Sequence, residues 1–263
     1  MTHCAERKQR MKTEWNAAQY LRFEDQRNQP VMDLLGCIRQ FSPRTAVDLG
    51  CGPGNSTIRV RQTFPDAQVV GIDSSGDMIR RAKAEHPDLR FLQQDLHELE
   101  GTYDLIFSNA CLQWVPDHEH LIPQLVGQLN EGGIFAAQFP MNSQEPLYQI
   151  IAEVVAEPKW GFDKVKLDYN GMLTPHAYFD LLSSCCGSFQ IWETKYYHDL
   201  ADHQAMIEWV KGTKIRPYLA YLQPGQREDF ENELLERAKE VYPVMKNGKV
   251  IFCFNRFFMV GMK

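Results

Sequence analysis

The glycine-rich run at residues 47–54 constrains the fold of this chain more than any other feature. It reads Val47-Asp48-Leu49-Gly50-Cys51-Gly52-Pro53-Gly54. The apolar run at residues 45–47 before it is typical of a buried parallel strand, and a helical pattern at 55–64 follows, with Asn55 as its predicted N-cap. A strand, a tight glycine turn and a helix predict a nucleotide-binding βα unit, because glycines allow a ligand close to the backbone. The alternative is an ordinary tight turn in an α/β protein.

The spacing within the run indicates which ligand it suits. The pattern Asp-x-Gly-x-Gly-x-Gly differs from the dinucleotide fingerprint, which has two residues between its last glycines and holds a pyrophosphate. Pro53 lacks a backbone donor that a phosphate would use, and Asp48 would repel an anion. S-adenosylmethionine carries an ammonium and a sulfonium and no phosphate, so the loop favours this cofactor. The predicted contacts are Asp48, Gly50, Gly52 and Gly54.

A second carboxylate follows the next predicted strand, residues 67–72. Asp73 ends this strand about 20 residues beyond the loop, where an acid can accept hydrogen bonds from both ribose hydroxyls. The alternative is an acid at the start of the helix predicted at 76–85. Ser74 leads into that helix, and Met78 on its first turn is placed to lie against the adenine.

A third carboxylate, Asp95, follows a short predicted strand at 89–92. It is placed to accept a hydrogen bond from the adenine amine, and the backbone amide of Leu96 follows it. Ligands of open α/β sheets bind beyond the carboxyl ends of the strands. Asp95 and Leu96 are therefore predicted cofactor contacts.

The polar residues after the fourth predicted strand, 103–107, mark the expected reaction centre. Strands one and four flank the switch point of such a sheet, so residues following strand four should face the transferred group. We predict a cofactor contact for Asn109 and substrate contacts for Gln113 and Trp114. Packing of Trp114 in the core is the alternative.

Two aromatic residues near the start of the chain, Trp15 and Tyr20, precede an amphipathic helix predicted at 29–40. They are candidates for a lid over the cofactor, and equally for docking a helix on the core. Residues 1–13 are predicted to be a loose tail, since polar side chains dominate there without a period.

The remaining pattern alternates helices and strands. Residues 130–133, Asn-Glu-Gly-Gly, predict a turn, residues 157–171 lack a clear period and predict a surface excursion, and Pro217 should keep residues 214–218 out of regular helix. Helices are predicted at 118–129, 145–156, 175–185, 203–211 and 226–241, and strands at 132–139, 189–198 and 249–262.

Composition excludes several function classes. The 263 residues carry a net charge of −6, which argues against nucleic acid as the main partner. No apolar run is long enough to span a membrane, and residues 1–12 lack the apolar core of a signal peptide. The seven cysteines follow no metal-like spacing, which predicts a reducing cytoplasm and no metal site.

The order of these elements resembles the class I S-adenosylmethionine-dependent methyltransferases. That resemblance implies an α/β, doubly wound, mostly parallel seven-stranded sheet with a helical cap over the carboxyl ends of the strands. It implies one methyltransferase domain over residues 14–263, in which 141–187 and 199–245 contribute cap and substrate-binding segments.

The chain resembles the trans-aconitate 2-methyltransferases nearly end to end. The matching stretches are Trp15-Asn16 to Tyr20-Leu21, Asn109-Ala110 to Gln113-Trp114, Tyr196-Tyr197-His198, His203-Gln204-Ala205, Arg216-Pro217, and Asn247-Gly248 to Arg256. The resemblance implies methyl transfer to a carboxylate of a small polycarboxylic acid, giving a monomethyl ester and S-adenosylhomocysteine. A carboxylate is already ionised at neutral pH, so no catalytic base is expected. The implied substrate contacts are Tyr197, His198, Arg216 and Arg256.

Alternatives remain open at this point. Arg216 is either a carboxylate anchor or a surface charge beside a proline, and His198 either a ligand or a satisfied histidine at a strand end. A carboxyl methyltransferase for a malonyl thioester on acyl carrier protein would also fit the core motifs. A non-catalytic S-adenosylmethionine-binding protein is the alternative of another class.

Overall fold

The computed structural model describes residues 24–162 and 172–263. These residues divide into two compact units. The described part of the first unit comprises residues 25–149, 172–199 and 251–263, and that of the second comprises residues 24, 150–162 and 200–250. Each unit is described by itself.

The first unit is built on a sheet that, within the described residues, has seven strands in the order β3-β2-β1-β4-β5-β7-β6. The pairings β1–β2, β1–β4, β2–β3 and β4–β5 are parallel, whereas β5 and β7 are antiparallel. The predicted mostly parallel, doubly wound sheet is confirmed. The strands are β1 (Thr45–Leu49), β2 (Gln68–Asp73), β3 (Arg90–Gln93), β4 (Tyr103–Asn109), β5 (Leu129–Pro140), β6 (Ser188–Leu200) and β7 (Val250–Met262).

Helices cover both faces of this sheet. They are α1 (Glu24–Ile38), α2 (Asn55–Thr63), α3 (Gly76–Glu85), α4 (His118–Gly127) and α6 (Pro175–Cys185). The unit boundary crosses a further helix, α5 (Pro146–Ala156), between residues 149 and 150. Short 3₁₀ turns follow β3 at Leu96–Glu98 and β4 at Leu112–Trp114. Of the helices among the described residues, none is both long and apolar enough to cross a membrane.

The apolar core lies in two layers because successive side chains of a strand point to opposite faces. On one face α1 and α2 pack against side chains such as Ala46, Phe107 and Phe258. On the other face α4 and α6 pack against side chains such as Val47 and Phe257. Burial on both faces explains why β1 and β4 are nearly continuous apolar runs.

The register brings the carboxyl ends of the parallel strands to one edge of the sheet. Leu49 lies beside Ile72 and Ser108, and Asn109 lies beside Gln138. Polar side chains at the ends of β1, β2 and β4 therefore lie at this edge, as the sequence predicts, and Gln138 of β5 lies beside them.

The second unit is helical in its described part. Its helices are α7 (His203–Lys211), α8 (Arg216–Tyr221) and α9 (Pro224–Val241). A 3₁₀ turn at Pro158–Trp160 places Trp160 edge-to-face with Phe230, at a centroid distance of 5.2 Å. Phe162 packs on Phe230 at 5.6 Å. An ion-pair network joins Glu157, Lys159, Glu233 and Arg237.

Three local predictions were wrong, and a fourth was wrong in its described part. Asn55 is the first helical residue rather than the cap of α2, because Gly54 takes the cap position with a φ of 99°. The Asn-Glu-Gly-Gly stretch lies inside β5. The register shifts there, because Tyr103 of β4 pairs with Leu129 whereas Leu105 pairs with Ile134. The expected turn is thus an irregularity within the strand, because β5 is paired with β4 both before and after it.

The other two concern the second unit. Arg216 and Pro217 open the regular helix α8, because proline is tolerated in a first turn whose N–H groups need no helical partner. The part of 157–171 that the structure describes is no surface excursion, since Trp160 and Phe162 are buried. Isolated aromatic anchors have no period for sequence patterns to detect.

Candidate active site

The carboxylate at the end of β1 is fully buried beneath the glycine loop. Asp48 is 0% exposed. Its Oδ2 accepts hydrogen bonds from the hydroxyls of Ser56, at 2.7 Å, and Thr57, at 2.6 Å. Both hydroxyls belong to the first turn of α2, so they fix the carboxylate under the loop. Among the described residues no group donates a hydrogen bond to Oδ1, which leaves a buried acceptor beside the loop.

Three carboxylates exert their charge on the glycine loop or on Cys111, which packs beside it. Burial, opposed by its two hydroxyl partners and reinforced by Asp73, raises the pKa of Asp48 to about 6. Burial, followed by the charges of Asp73, Asp48 and Asp95, raises the pKa of the Cys111 thiol to about 12. The three predicted acids therefore converge on one region, and their combined potential favours a cation there over a phosphate.

The loop backbone combines a crowded glycine with an open one. Gly50 has a φ of +65°, and an added Cβ would lie 2.2 Å from the Cys111 sulfur. Gly52 has a φ of +55°, and an added Cβ would meet no atom of the other described residues within 4 Å. The space over Gly52 is thus open to a ligand, whereas Gly50 is required by the approach of the loop after β4. Gly54 serves as the N-cap of α2.

Asp73 links the loop to the second strand. Its Oδ2 accepts the Gly52 N–H at 3.0 Å and its Oδ1 accepts the Ser75 N–H at 2.8 Å. The Ser75 hydroxyl caps α3 by accepting the Met78 N–H at 3.4 Å. Ser74 is exposed beside them and Met78 is half-buried. All four lie at the end of β2, where the sequence predicts the ribose and adenine contacts.

Asp95 and Leu96 begin the 3₁₀ turn after β3. Asp95 accepts the His97 N–H at 3.0 Å and contacts His97 Nδ1 at 2.8 Å. Leu96 packs in part against the core on the α4 and α6 face. Their backbone positions match the predicted adenine end of the site, and the charge of Asp95 reaches Cys111.

A row of polar side chains runs from the ends of β4 and β5 to the middle of β7, on the same face as α1 and α2. The Gln138 amide donates to Asn109 Oδ1. Gln138 Oε1 in turn accepts from Arg256 Nη1 at 3.4 Å, and the guanidinium lies 4.8 Å from the centroid of the Phe254 ring. Arg256 is 6% exposed. Guanidinium groups bind carboxylates through charge-assisted hydrogen bonds, and the predicted substrate contact of Arg256 stays a prediction.

Gln138 was not predicted as a site residue. It is 1% exposed and joins a predicted cofactor contact, Asn109, to a predicted substrate contact, Arg256. The only signal in the sequence is a polar residue within the apolar run that forms β5. Such a residue shows its role only once its neighbours across the sheet are known.

The turn after β4 carries Gln113 and Trp114. Ala110 enters it with a φ of 52° and accepts a hydrogen bond from Gln113 Nε2 on its carbonyl, at 2.7 Å. Gln113 Oε1 is buried, and no described residue donates to it. Trp114 is 45% exposed, so it is not a core residue.

Of the neighbours Tyr197 and His198, only His198 shares a face with the polar row. His198 lies 6.5 Å from the Phe254 ring, centroid to centroid, and burial followed by the Arg256 charge lowers its pKa. Tyr197 points to the opposite face of β6 and is 69% exposed. Tyr196 shares the His198 face, where its hydroxyl donates to Asp33 at 2.6 Å.

The other predicted residues lie elsewhere. Arg216 is the first residue of α8, in the second unit. Trp15 and Tyr20 lie outside the described residues. The structure therefore groups the cofactor contacts, Gln113, Trp114, His198 and Arg256 in the first unit, and leaves Arg216, Trp15 and Tyr20 as predictions from the sequence.

The region fits S-adenosylmethionine on two structural grounds. The space over Gly52, which no other described residue fills, admits a ligand against the backbone. Burial, with a smaller contribution from the charge of Asp73, raises the pKa of Asp48, and a cation placed nearby would favour its ionised form. In the described part of the chain, no three His, Cys, Asp or Glu side chains are grouped so as to hold a metal ion.

Solved structures share this fold. The YcgJ protein from Bacillus subtilis is 16% identical, with a TM-score of 0.59, and the match covers 88% of this chain and 98% of that one. A putative sarcosine dimethylglycine methyltransferase from Galdieria sulphuraria is 14% identical, with a TM-score of 0.55, over 95% of this chain and 91% of that one. At such identities the likeness concerns the fold alone.

Sequence comparison defines the class and then the family. Residues 46–133 match the family described as Methyltransferase domain, and relatives named as methyltransferases match 95% of the chain, so this protein is a methyltransferase. A trans-aconitate 2-methyltransferase from Methylobacterium radiotolerans is 40% identical over 256 residues, covering 95% of this chain and 98% of the relative. One from Escherichia coli O7:K1 is 39% identical over 253 residues, covering 95% and 99%. The chain belongs to the trans-aconitate 2-methyltransferase family.

Proposed function

We propose that this methyltransferase transfers the methyl group of S-adenosylmethionine to one carboxylate of trans-aconitate, giving a monomethyl ester. The names of relatives that match 95% of the chain support this substrate. The observation that carries the proposal is the buried Arg256 guanidinium, held beside Gln138 and Asn109 at the reaction end of the sheet.

The proposed cofactor site follows the edge of the sheet from β4 to β3. Asp48 supplies negative potential beneath the methionine end, and Asp73 binds the ribose with the lone pairs that Gly52 and Ser75 do not use. The cofactor contributes an electrophilic methyl group on a positively charged sulfur. The proposed contacts are Asp48, Gly50, Gly52, Gly54, Asp73, Ser74, Met78, Asp95, Leu96 and Asn109.

The reaction needs no proton transfer from the protein. A carboxylate is ionised at neutral pH, so its oxygen is already the nucleophile. The contribution of the protein is to hold that oxygen in line with the methyl group, which is an effect of proximity and orientation. The burial of Arg256 and Gln138 removes water from one side of this arrangement.

The proposed substrate contacts divide by chemistry. Arg256 binds a carboxylate that does not react, with two parallel N–H groups where the geometry allows. His198, kept neutral by its burial and by Arg256, offers a hydrogen bond without adding charge. Gln113 and Trp114 border the acceptor from the turn after β4. Tyr197 and Arg216 stay in the proposal on the strength of the resemblance alone.

A methyl-release assay tests the proposal. Purified protein is incubated with methyl-labelled S-adenosylmethionine and, in separate tubes, with trans-aconitate, other di- and tricarboxylic acids, and a malonyl thioester. The expected product from trans-aconitate is labile to mild alkali and releases labelled methanol. An alkali-stable product would show that the acceptor is not a carboxylate, and preference for the malonyl thioester would transfer the assignment to that substrate.

A further inference from the structure

His118 and Tyr178 form a buried hydrogen-bond chain beneath the turn that carries Gln113 and Trp114. His118, the first residue of α4, is 0% exposed. Its Nδ1 lies 2.6 Å from the Tyr178 hydroxyl, and its Nε2 lies 2.9 Å from the carbonyl oxygen of Leu112, the first residue of that turn. The Tyr178 hydroxyl also accepts the Leu173 N–H at 3.1 Å.

Only one arrangement of protons satisfies every member of this chain. The Leu112 carbonyl can only accept, so Nε2 must carry the hydrogen and donate. Nδ1 then accepts from the Tyr178 hydroxyl, whose lone pair is used by the Leu173 amide. A protonated imidazole would place a second N–H against that hydroxyl, and burial lowers the pKa of His118, which disfavours this form. The tautomer follows from the network.

The hydrogen bonds of His118 act on the turn that carries Gln113 and Trp114. Leu112 O closes the 3₁₀ turn by accepting the Val115 N–H at 2.9 Å, so His118 adds a second donor to the same carbonyl. Gln113, the next residue, is fixed at its other end by the Ala110 carbonyl. Because the backbone at Ala110 has a positive φ, which is unfavourable for alanine, the turn needs such outside restraints to persist.

We propose that His118, held as its Nε2–H tautomer by Tyr178, is a positioning residue that aligns Gln113 and Trp114 with the methyl acceptor. It touches neither substrate nor cofactor. The inference rests on the proposed function for its effect on turnover, whereas its effect on the turn itself is independent of the substrate.

Two substitutions separate positioning from simple packing. Tyr178→Phe removes the hydroxyl and keeps the ring, which stacks on Phe257 at a centroid distance of 5.1 Å. His118→Gln keeps an Nε2 donor that can reach the Leu112 carbonyl, whereas His118→Ala removes it. Tyr103→Phe is the matched control, because it removes a hydroxyl that donates to the Glu100 carbonyl at 3.0 Å, at the other end of β4.

We expect kcat with trans-aconitate to fall about tenfold in Tyr178→Phe and further in His118→Ala, with the KM for S-adenosylmethionine unchanged. His118→Gln should recover most of the loss, and Tyr103→Phe should resemble the wild type. Recovery no better in His118→Gln than in His118→Ala would overturn the role of the Leu112 bond. If His118→Ala does not fold, Tyr178→Phe and His118→Gln still decide the question.

Nuclear magnetic resonance tests the positioning role of His118 without measuring turnover. Nitrogen-15 labelled histidine should show His118 as the Nε2–H tautomer, and the Trp114 indole resonance, assigned with Trp114→Phe, should shift in Tyr178→Phe but not in Tyr103→Phe. An Nδ1–H tautomer or an unmoved Trp114 resonance would refute the positioning role. If the wild type fails to methylate trans-aconitate while these signals behave as expected, the proposed function fails and the positioning of the turn stands.

Discussion

Gly52 donates its backbone N–H to the Asp73 carboxylate over 3.0 Å, and this bond joins the glycine loop after β1 to the end of β2. The other oxygen of Asp73 accepts the Ser75 N–H at the start of α3. The two roles considered for Asp73, a ribose ligand and an acid at a helix start, are therefore compatible. A carboxylate has about four lone-pair sites, so two amide bonds leave others for a ligand.

The open space over Gly52 leads to the first prediction. Gly52→Ala should weaken binding of S-adenosylhomocysteine by more than about tenfold, because its Cβ occupies space that the ligand backbone needs. Gly132→Ala is the matched control, because Gly132 also has a positive φ, of +71°, and an added Cβ there would meet no atom within 4 Å in the described part of the chain. Both changes should cost about 1 kcal/mol of stability from backbone strain. Calorimetry and thermal unfolding measure the two effects, and equal affinities in the two variants would contradict the cofactor position.

The raised pKa of Asp48 leads to a prediction about stability. The pKa of Asp48 in the folded protein, about 6, lies above the ordinary value of 3.8. Between pH 3.8 and pH 6, folding is therefore coupled to the uptake of a proton by Asp48. The contribution of Asp48 is therefore most favourable below about pH 4, declines as the pH rises, and above pH 6 costs about 3 kcal/mol. Asp48→Asn should abolish this part of the pH dependence and stabilise the cofactor-free protein at pH 7. Unfolding curves from pH 4 to 8 test this, with the exposed Asp66→Asn as control.

The same substitution should have the opposite effect on function. At pH 7 the Asp48 carboxylate is mostly ionised and attracts a cation, so Asp48→Asn should weaken S-adenosylmethionine binding. In the wild type, affinity should fall about tenfold per pH unit below 6 as Asp48 is protonated. The variant should lack this dependence. An identical pH profile for both proteins would show that Asp48 does not act on the cofactor.

Arg256 provides the test of substrate binding. Arg256→Ala should lower kcat/KM for trans-aconitate. The expected loss of transition-state stabilisation is about 2–5 kcal/mol, as for truncating one partner of a buried charge pair. Arg256→Lys should recover only part, because an ammonium cannot form the bidentate contact. Binding of S-adenosylhomocysteine should stay unchanged. Arg237→Ala, which removes an arginine from the ion pairs of the second unit, should leave kcat/KM within about twofold. Equal turnover in both alanine variants would remove Arg256 from the site.

Arg216 is a separate prediction, made from the resemblance alone. If it binds a second carboxylate, Arg216→Ala should lower kcat/KM for trans-aconitate and spare acids with one carboxylate fewer. Combining it with Arg256→Ala shows whether the two arginines act on different carboxylates, because independent contributions to the free energy add. If Arg216→Ala is fully active, Arg216 is the surface charge beside a proline that the sequence analysis gave as the alternative.

The sequence by itself determined the sheet and the places of the predicted cofactor contacts at its edge. The loop from Asp48 to Gly54, and the acids Asp73 and Asp95, stand at strand ends that a periodic apolar pattern already marks. Their positions follow from connectivity, since parallel strands bring their carboxyl ends to one edge. Helices such as Gly76–Glu85, Pro175–Cys185 and His203–Lys211 also match their predicted bounds. Local spacing sufficed for these features.

Only the tertiary structure decided how the predicted substrate contacts and the residues behind them are arranged. Gln138 and Arg256 lie more than a hundred residues apart and meet because β5 and β7 pair antiparallel, while His118 reaches Tyr178 through the packing of α4 and α6 on one face. The strand period alone puts Tyr197 and His198 on opposite faces, but the core on one side of β6 decided which of them lies near Arg256. Contacts between distant segments depend on pairing register and on the side each helix covers, and neither is written in the local pattern of residues.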